Sequence, residues 1–141
     1  MATTRNASAH WEGSLMEGAG KVTLDSSGLG TYDVTWPARA EAPNGKTSPE
    51  ELIAAAHSTC FSMALAHGLA QAGTPATTID TSAAVTFQPG TGITGIVLSV
   101  SGAVPGLTAD QFEEAAQAAK TGCPVSQALS VPISLETSFT E

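Results

Sequence analysis

Ser48-Pro49-Glu50-Glu51-Leu52-Ile53-Ala54-Ala55-Ala56-His57-Ser58-Thr59-Cys60-Phe61-Ser62-Met63-Ala64-Leu65 is the stretch on which the fold turns. Ser48 suits a helix cap, and Pro49 fits the first helical position, where a missing N–H costs nothing. Glu51 stands three residues after Ser48, as a capping box requires. The small and apolar residues that follow predict a helix to about Ala72, ended by Gly73. No Asp, Glu, Lys or Arg occurs from Leu52 to Ile79, which raises the question of a membrane span. His57, Ser58, Thr59, Ser62, His67 and Gln71 interrupt that stretch, and Ala fills much of it in place of Leu or Ile. A helix that is weakly apolar on every face reads as the buried central helix of a soluble protein.

On the N-terminal side, Trp11 to Leu15, Lys21 to Leu24 and Thr31 to Trp36 read as strands separated by Gly-rich and Ser-Ser-Gly turns. On the C-terminal side, Thr77 to Gln88 and Ile93 to Val104 alternate as a hairpin about Pro89-Gly90-Thr91-Gly92. A second helix opens at Thr108 with Gln111 completing a capping box, and Leu107 and Phe112 form a hydrophobic staple. It closes at Lys120 and Gly122. Cys123-Pro124-Val125-Ser126 begins a short third helix, and Val131 to Phe139 is a last strand. The order β-β-β-α-β-β-α-α-β predicts a single α+β domain over residues 1–141, with mostly antiparallel pairing. One small sheet cannot cover every apolar face of the long helix, so a homodimer is expected.

A length of 141 residues suits one domain, and 42% hydrophobic residues can build a core. With 5% aromatics, Ala, Val, Leu and Ile must form most of it. Five basic against 13 acidic residues give a net charge of −8, which argues against nucleic acid and against membrane surfaces as partners. MATTRNASAHWEG lacks the apolar core of a signal peptide, so a cytoplasmic, soluble protein is expected. Two cysteines in that compartment argue against a structural disulfide and are too few for a closed zinc site, so catalysis or redox sensing is preferred over two inert core thiols.

Cys60 lies about three turns into the long helix, where a thiol is raised in pKa unless a cation is near. Of Arg5, Lys21, Arg39, Lys46 and Lys120, Arg39 is best placed: it follows a strand and precedes the Pro43-Asn44-Gly45 turn. A solvated loop arginine is the plain alternative. Cys123, ahead of Pro124, occupies a cap position that favours a thiolate. Local physics therefore leaves open which cysteine attacks first. His57 shares a helical face with Cys60, permitting a Cys–His pair or two metal ligands, with Cys123 and His67 as further donors. A buried histidine hydrogen-bonded to a neighbour is the commoner role of such a residue. Glu50 sits in the first helical turn, favoured there by the dipole whatever it does.

Thr47 through Leu65 resembles the central-helix motif of the OsmC/Ohr peroxidases, and Gly122-Cys123-Pro124-Val125-Ser126 resembles their second-cysteine motif. His10-Trp11-Glu12-Gly13 and Val104-Pro105-Gly106 also match, so the resemblance spans nearly the whole chain. It implies an OsmC-like fold in an intertwined homodimer, with Cys60 attacking the peroxide and Cys123 resolving it as a disulfide. It also assigns Glu50 as the catalytic glutamate. The Ohr-like branch takes its arginine from a segment that reads Leu15-Met16-Glu17-Gly18 here and holds none, whereas the OsmC-like branch takes it from the segment holding Arg39. The OsmC branch is therefore indicated.

The implied reaction reduces organic hydroperoxides, and hydrogen peroxide less well, through a Cys60 sulfenic acid. An external dithiol, such as one of lipoyl type, would regenerate the enzyme without metal or cofactor. Glu50 and Cys60 are about 15 Å apart along a continuous helix. The resemblance nevertheless places both at one site, and an antiparallel partner helix crossing near residue 55 would bring Glu50 of one subunit level with Cys60 of the other. The rivals are a Cys60–His57 thiol hydrolase and a non-catalytic dimer binding a small apolar ligand.

Overall fold

A computed structural model describes residues 1–140 and divides them into two compact units, Met1–Leu52 and a second that starts at Ile53. In the first unit, β1 (Ser8–Glu12), β2 (Ala19–Thr23) and β3 (Thr31–Val34) form an antiparallel meander. Trp11 stands opposite Gly20 in the β1–β2 ladder, and a Cβ on residue 20 would lie 2.6 Å from Trp11 Cε3. Glycine there makes room for the indole. Every residue of β1 is exposed, and Gly20 is the one buried residue of the three strands. A small sheet of this kind gains stability only when an apolar face is covered.

Boundaries in this unit depart from expectation. β1 starts at Ser8 and ends at Glu12, because Gly13 turns the chain at φ 91°. β3 stops at Val34, where the Thr35 hydroxyl accepts the Ala38 amide at 3.2 Å and starts a short helix, α1 (Trp36–Ala40). Five residues are too few to show a helical period, although Thr35 followed by Pro37 is a start signal. Arg39 therefore sits in the last turn of a helix instead of on a loop.

The long helix α2 spans Pro49–Gln71. Ser48 Oγ accepts the Glu51 amide at 3.1 Å, but the Glu51 carboxylate takes the Thr47 hydroxyl at 2.6 Å. The expected reciprocal half of the capping box is thus diverted by one residue. At the other end Gly73, at φ 85°, donates to Ala70 O at 3.0 Å, while the Thr74 amide reaches Leu69 O at 3.0 Å. That pair of bonds is a Schellman stop, open to glycine because of the positive φ. His57, Phe61, Leu65 and Leu69 form the buried stripe of α2, while Ala55, Ala56, Thr59, Met63, Ala66 and Ala70 are exposed.

In the second unit, β4 (Thr78–Gln88) and β5 (Gly92–Ala103) form the expected hairpin, with a register shift at Thr86/Phe87. β6 (Ile133–Thr140) adds to the other side of β5 in parallel, the one pairing of the four that is not antiparallel. α3 (Ala109–Gly122) has both halves of the Thr108/Gln111 capping box, and α4 (Pro124–Ala128) follows. Phe61, Leu65 and Leu69 of α2, Ile96, Leu98 and Val100 of β5 and Phe112, Ala116 and Ala119 of α3 make one core. Phe112 packs 5.2 Å from Phe139 and lies against Gly102, where a Cβ would stand 2.6 Å from its Cε1. The architecture is α+β with two three-stranded sheets, β1-β2-β3 and β4-β5-β6.

Candidate active site

Each unit carries half of the expected residues. In the second unit, Cys60 projects from the middle of α2 and is partly exposed, while Cys123 is fully buried. Cys123 ends α3, its amide donating to Ala119 O at 2.9 Å, and caps α4, its carbonyl accepting Gln127 N at 3.0 Å. Pro124 makes this sharp corner possible, since it cannot continue α3 yet suits the start of α4. Both cysteines are free thiols, and each is among the groups that shift the acidity of the other.

The two sulfurs differ in acidity. Burial raises the pKa of Cys60, the Val125 amide opposes that rise, and Cys123 adds to it. Burial pushes Cys123 up as well, but the neighbouring Ser126 amide, Cys60, the Ser126 hydroxyl and the Val125 amide outweigh it, so its pKa falls below the ordinary value. The directions are those expected from mid-helix and cap positions.

His57 is fully buried three residues before Cys60. Its Nε2 lies 2.7 Å from Ser126 Oγ, and its Nδ1 has no hydrogen-bond partner. Burial lowers its pKa, so the ring is neutral near pH 7. The histidine thus meets a hydroxyl, as buried histidines commonly do. Ser126, the partner of His57, is a residue that sequence reasoning misses. Its place in the first turn after the Cys-Pro corner was the available signal. No cluster of three or more His, Cys, Asp or Glu side chains suited to a metal occurs among the described residues.

In the first unit, the Arg39 guanidinium grips Glu50 as a fork: Nε lies 3.0 and 3.2 Å from the two carboxylate oxygens, and Nη2 lies 2.8 Å from Oε2. Glu50 is 6% exposed, so the guanidinium replaces most of the water its carboxylate would otherwise hold. The Trp36 ring lies 6.0 Å from the Arg39 guanidinium carbon, a cation–π distance that helps fix its plane. Arg39 and Glu50 form the carboxylate–guanidinium pair expected of them, while Cys60 and Cys123 stand as free thiols.

Residues 42–138 match the sequence pattern of the OsmC family of OsmC-like proteins. The peroxiredoxin OsmC of Escherichia coli (strain K12) is 44% identical over 139 residues, covering 96% of this chain and 96% of its own. Among solved structures, the organic hydroperoxide resistance protein OhrB of Bacillus subtilis has a TM-score of 0.71 at 25% identity, over 94% of this chain and 98% of its own. An organic hydroperoxide resistance protein OsmC of Legionella pneumophila has a TM-score of 0.73 at 24% identity, over 100% and 99% of the two chains, a likeness of fold.

Proposed function

The chain belongs to the OsmC family, and on that premise we propose that it is a cytoplasmic, cysteine-based peroxidase for organic hydroperoxides. The observation that carries the reading is the pair of free thiols, one partly open on α2 and one buried at the Cys-Pro corner, each shifting the acidity of the other. The Cys60 thiolate attacks a peroxide oxygen: an S–O bond forms, the O–O bond breaks, and the alkoxide leaves as an alcohol after taking a proton. Cys123 then attacks the sulfenic sulfur, an S–S bond replaces S–O, and water departs. An external dithiol reduces the disulfide by exchange and leaves oxidised.

A thiol raised by burial is a poor nucleophile until a cation is brought to it. The Arg39–Glu50 fork is the group we assign to that task, in a homodimer where the partner subunit's pair faces Cys60. Two observations support this arrangement. Ala55, Ala56, Ala66, Gly68 and Ala70 are exposed on α2, with Ala55 and Ala56 near its expected crossing point. The β1–β3 sheet likewise leaves Trp11 and Tyr32 open. A two-fold pairing of identical chains places the same residues at both of its sites.

The Cys60–His57 hydrolase is disfavoured, since His57 Nε2 is engaged by Ser126 and burial keeps the ring a weak base. A ligand-binding role finds support in a cavity of about 630 Å³ beside α2 and α3, lined by Ala64, Leu69, Leu107 and Ala115. That cavity does not include either cysteine, so it offers no use for the thiols. The decisive experiment follows loss of an alkyl hydroperoxide and of dithiol together. Stoichiometric consumption, faster than with hydrogen peroxide, is expected. Ester cleavage without peroxide consumption would install the hydrolase instead.

A further inference from the structure

Little ties α4 to the rest of the second unit. It is five residues long, and its Gln127 amide and side chain reach only Cys123 O and Thr121 O, at 3.0 and 3.4 Å. Val125 and Leu129 are partly buried against the core. The hydrogen bond that carries α4 to a distant segment joins Ser126 Oγ to His57 Nε2, 2.7 Å apart and 69 residues apart in the chain. Both residues are buried, so water does not compete for that bond. Cys123, fully buried, is the residue from which α4 starts.

The buried Nδ1 of His57 has no partner. An acceptor without a donor is tolerated inside a protein better than an N–H without an acceptor, so the neutral ring keeps its proton on Nε2 and donates to Ser126. A second proton must go on Nδ1. It would leave a buried charge and a buried donor with nothing to meet it. The ring belongs to the middle of α2 and cannot withdraw without breaking that helix, whereas α4 can leave at small cost.

We propose that α4 is a latch over Cys123, that the His57–Ser126 bond holds it closed, and that a second proton on His57 opens it. The latch stands on the geometry alone. Its use, control of access to the resolving thiol, rests on the peroxidase reading.

The direction with pH follows from where the proton is welcome. Burial lowers the proton affinity of His57 while the latch is closed, and the open form takes a proton near the ordinary value of 6.5. The open form thus binds more protons, and opening grows by up to about tenfold for each pH unit below 6.5 until the closed form is protonated too. Other charges do not alter this. On α2, Glu50 is held by Arg39 and Cys60 is a neutral thiol with its pKa raised. α4 carries no titratable side chain, and Lys120 at the end of α3 is bonded to Ile133 O. Burial is the one cause that shifts His57.

The test reads access to Cys123 in a Cys60→Ser chain, which leaves a single thiol. Dipyridyl disulfide reacts with thiols in acid as well as at neutral pH, and the pyridinethione it releases is followed by absorbance. At each pH the rate for the urea-unfolded chain is divided by that for the folded chain, which gives the protection of Cys123. Protection should be level above about pH 7.5 and fall on the order of tenfold between about pH 6.5 and 5.5. Adding Ser126→Ala should lower it on the order of tenfold at neutral pH, through loss of one buried hydrogen bond. His57→Gln is neutral at every pH and presents a donor near the position of Nε2, so protection should stay high and lose its pH dependence. Circular dichroism at each pH should show the helices and sheets intact where protection falls.

Protection that stays level down to about pH 5 would overturn the latch, as would His57→Gln losing protection in step with the histidine chain. Loss of protection together with the circular dichroism signal would also overturn it, since the whole chain would then be unfolding. If wild type consumes no hydroperoxide, the peroxidase reading falls, while the protection of Cys123 still decides the latch.

Discussion

Replacing Arg39 with Lys keeps the positive charge and removes the fork, and so asks whether geometry or charge alone serves Cys60. Arg39 makes three contacts to Glu50, at 3.0, 3.2 and 2.8 Å, and its flat guanidinium lies against Trp36. A lysine ammonium can keep one contact to the carboxylate and cannot stack flat on the indole. Losing one well-made hydrogen bond to a charged group costs about 1.5–3 kcal/mol. At about 1.4 kcal/mol per tenfold, that predicts a first step roughly 10- to 100-fold slower in Arg39→Lys.

Arg39→Ala should be slower still and should carry the pH profile of Cys60 oxidation upward, because burial then acts on the thiol without a compensating cation. The assay is the second-order rate of Cys60 oxidation by an alkyl hydroperoxide, read by quenched alkylation across pH. Circular dichroism melts of the same proteins show whether Glu50, left nearly buried without its partner, has unfolded the chain. Folded Arg39→Ala oxidised at the wild-type rate, with an unmoved profile, would refute the role of the fork.

Four further outcomes are expected. Cys60→Ser should abolish peroxide consumption, whereas Cys123→Ser should accept one oxidising equivalent and stall as sulfenic or sulfinic acid, both visible as mass increments. Mixing inactive Cys60→Ser and Glu50→Ala subunits should restore activity through heterodimers with one intact site, and no recovery after verified exchange would remove the shared-site arrangement. Gly102→Val should lower the melting temperature, since its Cβ would meet Phe112 at 2.6 Å and overpacking of this kind costs about 1–3 kcal/mol. His57 titrates below its ordinary 6.5 in the fold because burial disfavours the imidazolium. The unfolded chain thus binds more protons just below that pH, so stability should fall as pH drops through 6.5. His57→Gln should flatten that part of the melting profile.

Sequence alone determined the features set by short-range chemistry. Ser48-Pro49, Thr108 with Gln111, and Cys123-Pro124 are start signals whose partners lie within three residues, and all three helices begin where those signals stand. The opposite pKa directions of Cys60 and Cys123 were legible for the same reason, since one is mid-helix and the other at a cap. α1 escaped notice because five residues cannot display a period. The parallel partner of β6 could not be read, because pairing is decided by how the α3–α4 connection crosses from β5 to β6 and not by alternation within a strand. The bond between His57 and Ser126, 69 residues apart, likewise exists only once α2 and α4 are packed. Helix starts are local free-energy minima that the chain states in a few adjacent residues. A buried hydrogen bond between distant segments depends on the whole core, and only the tertiary structure supplies it.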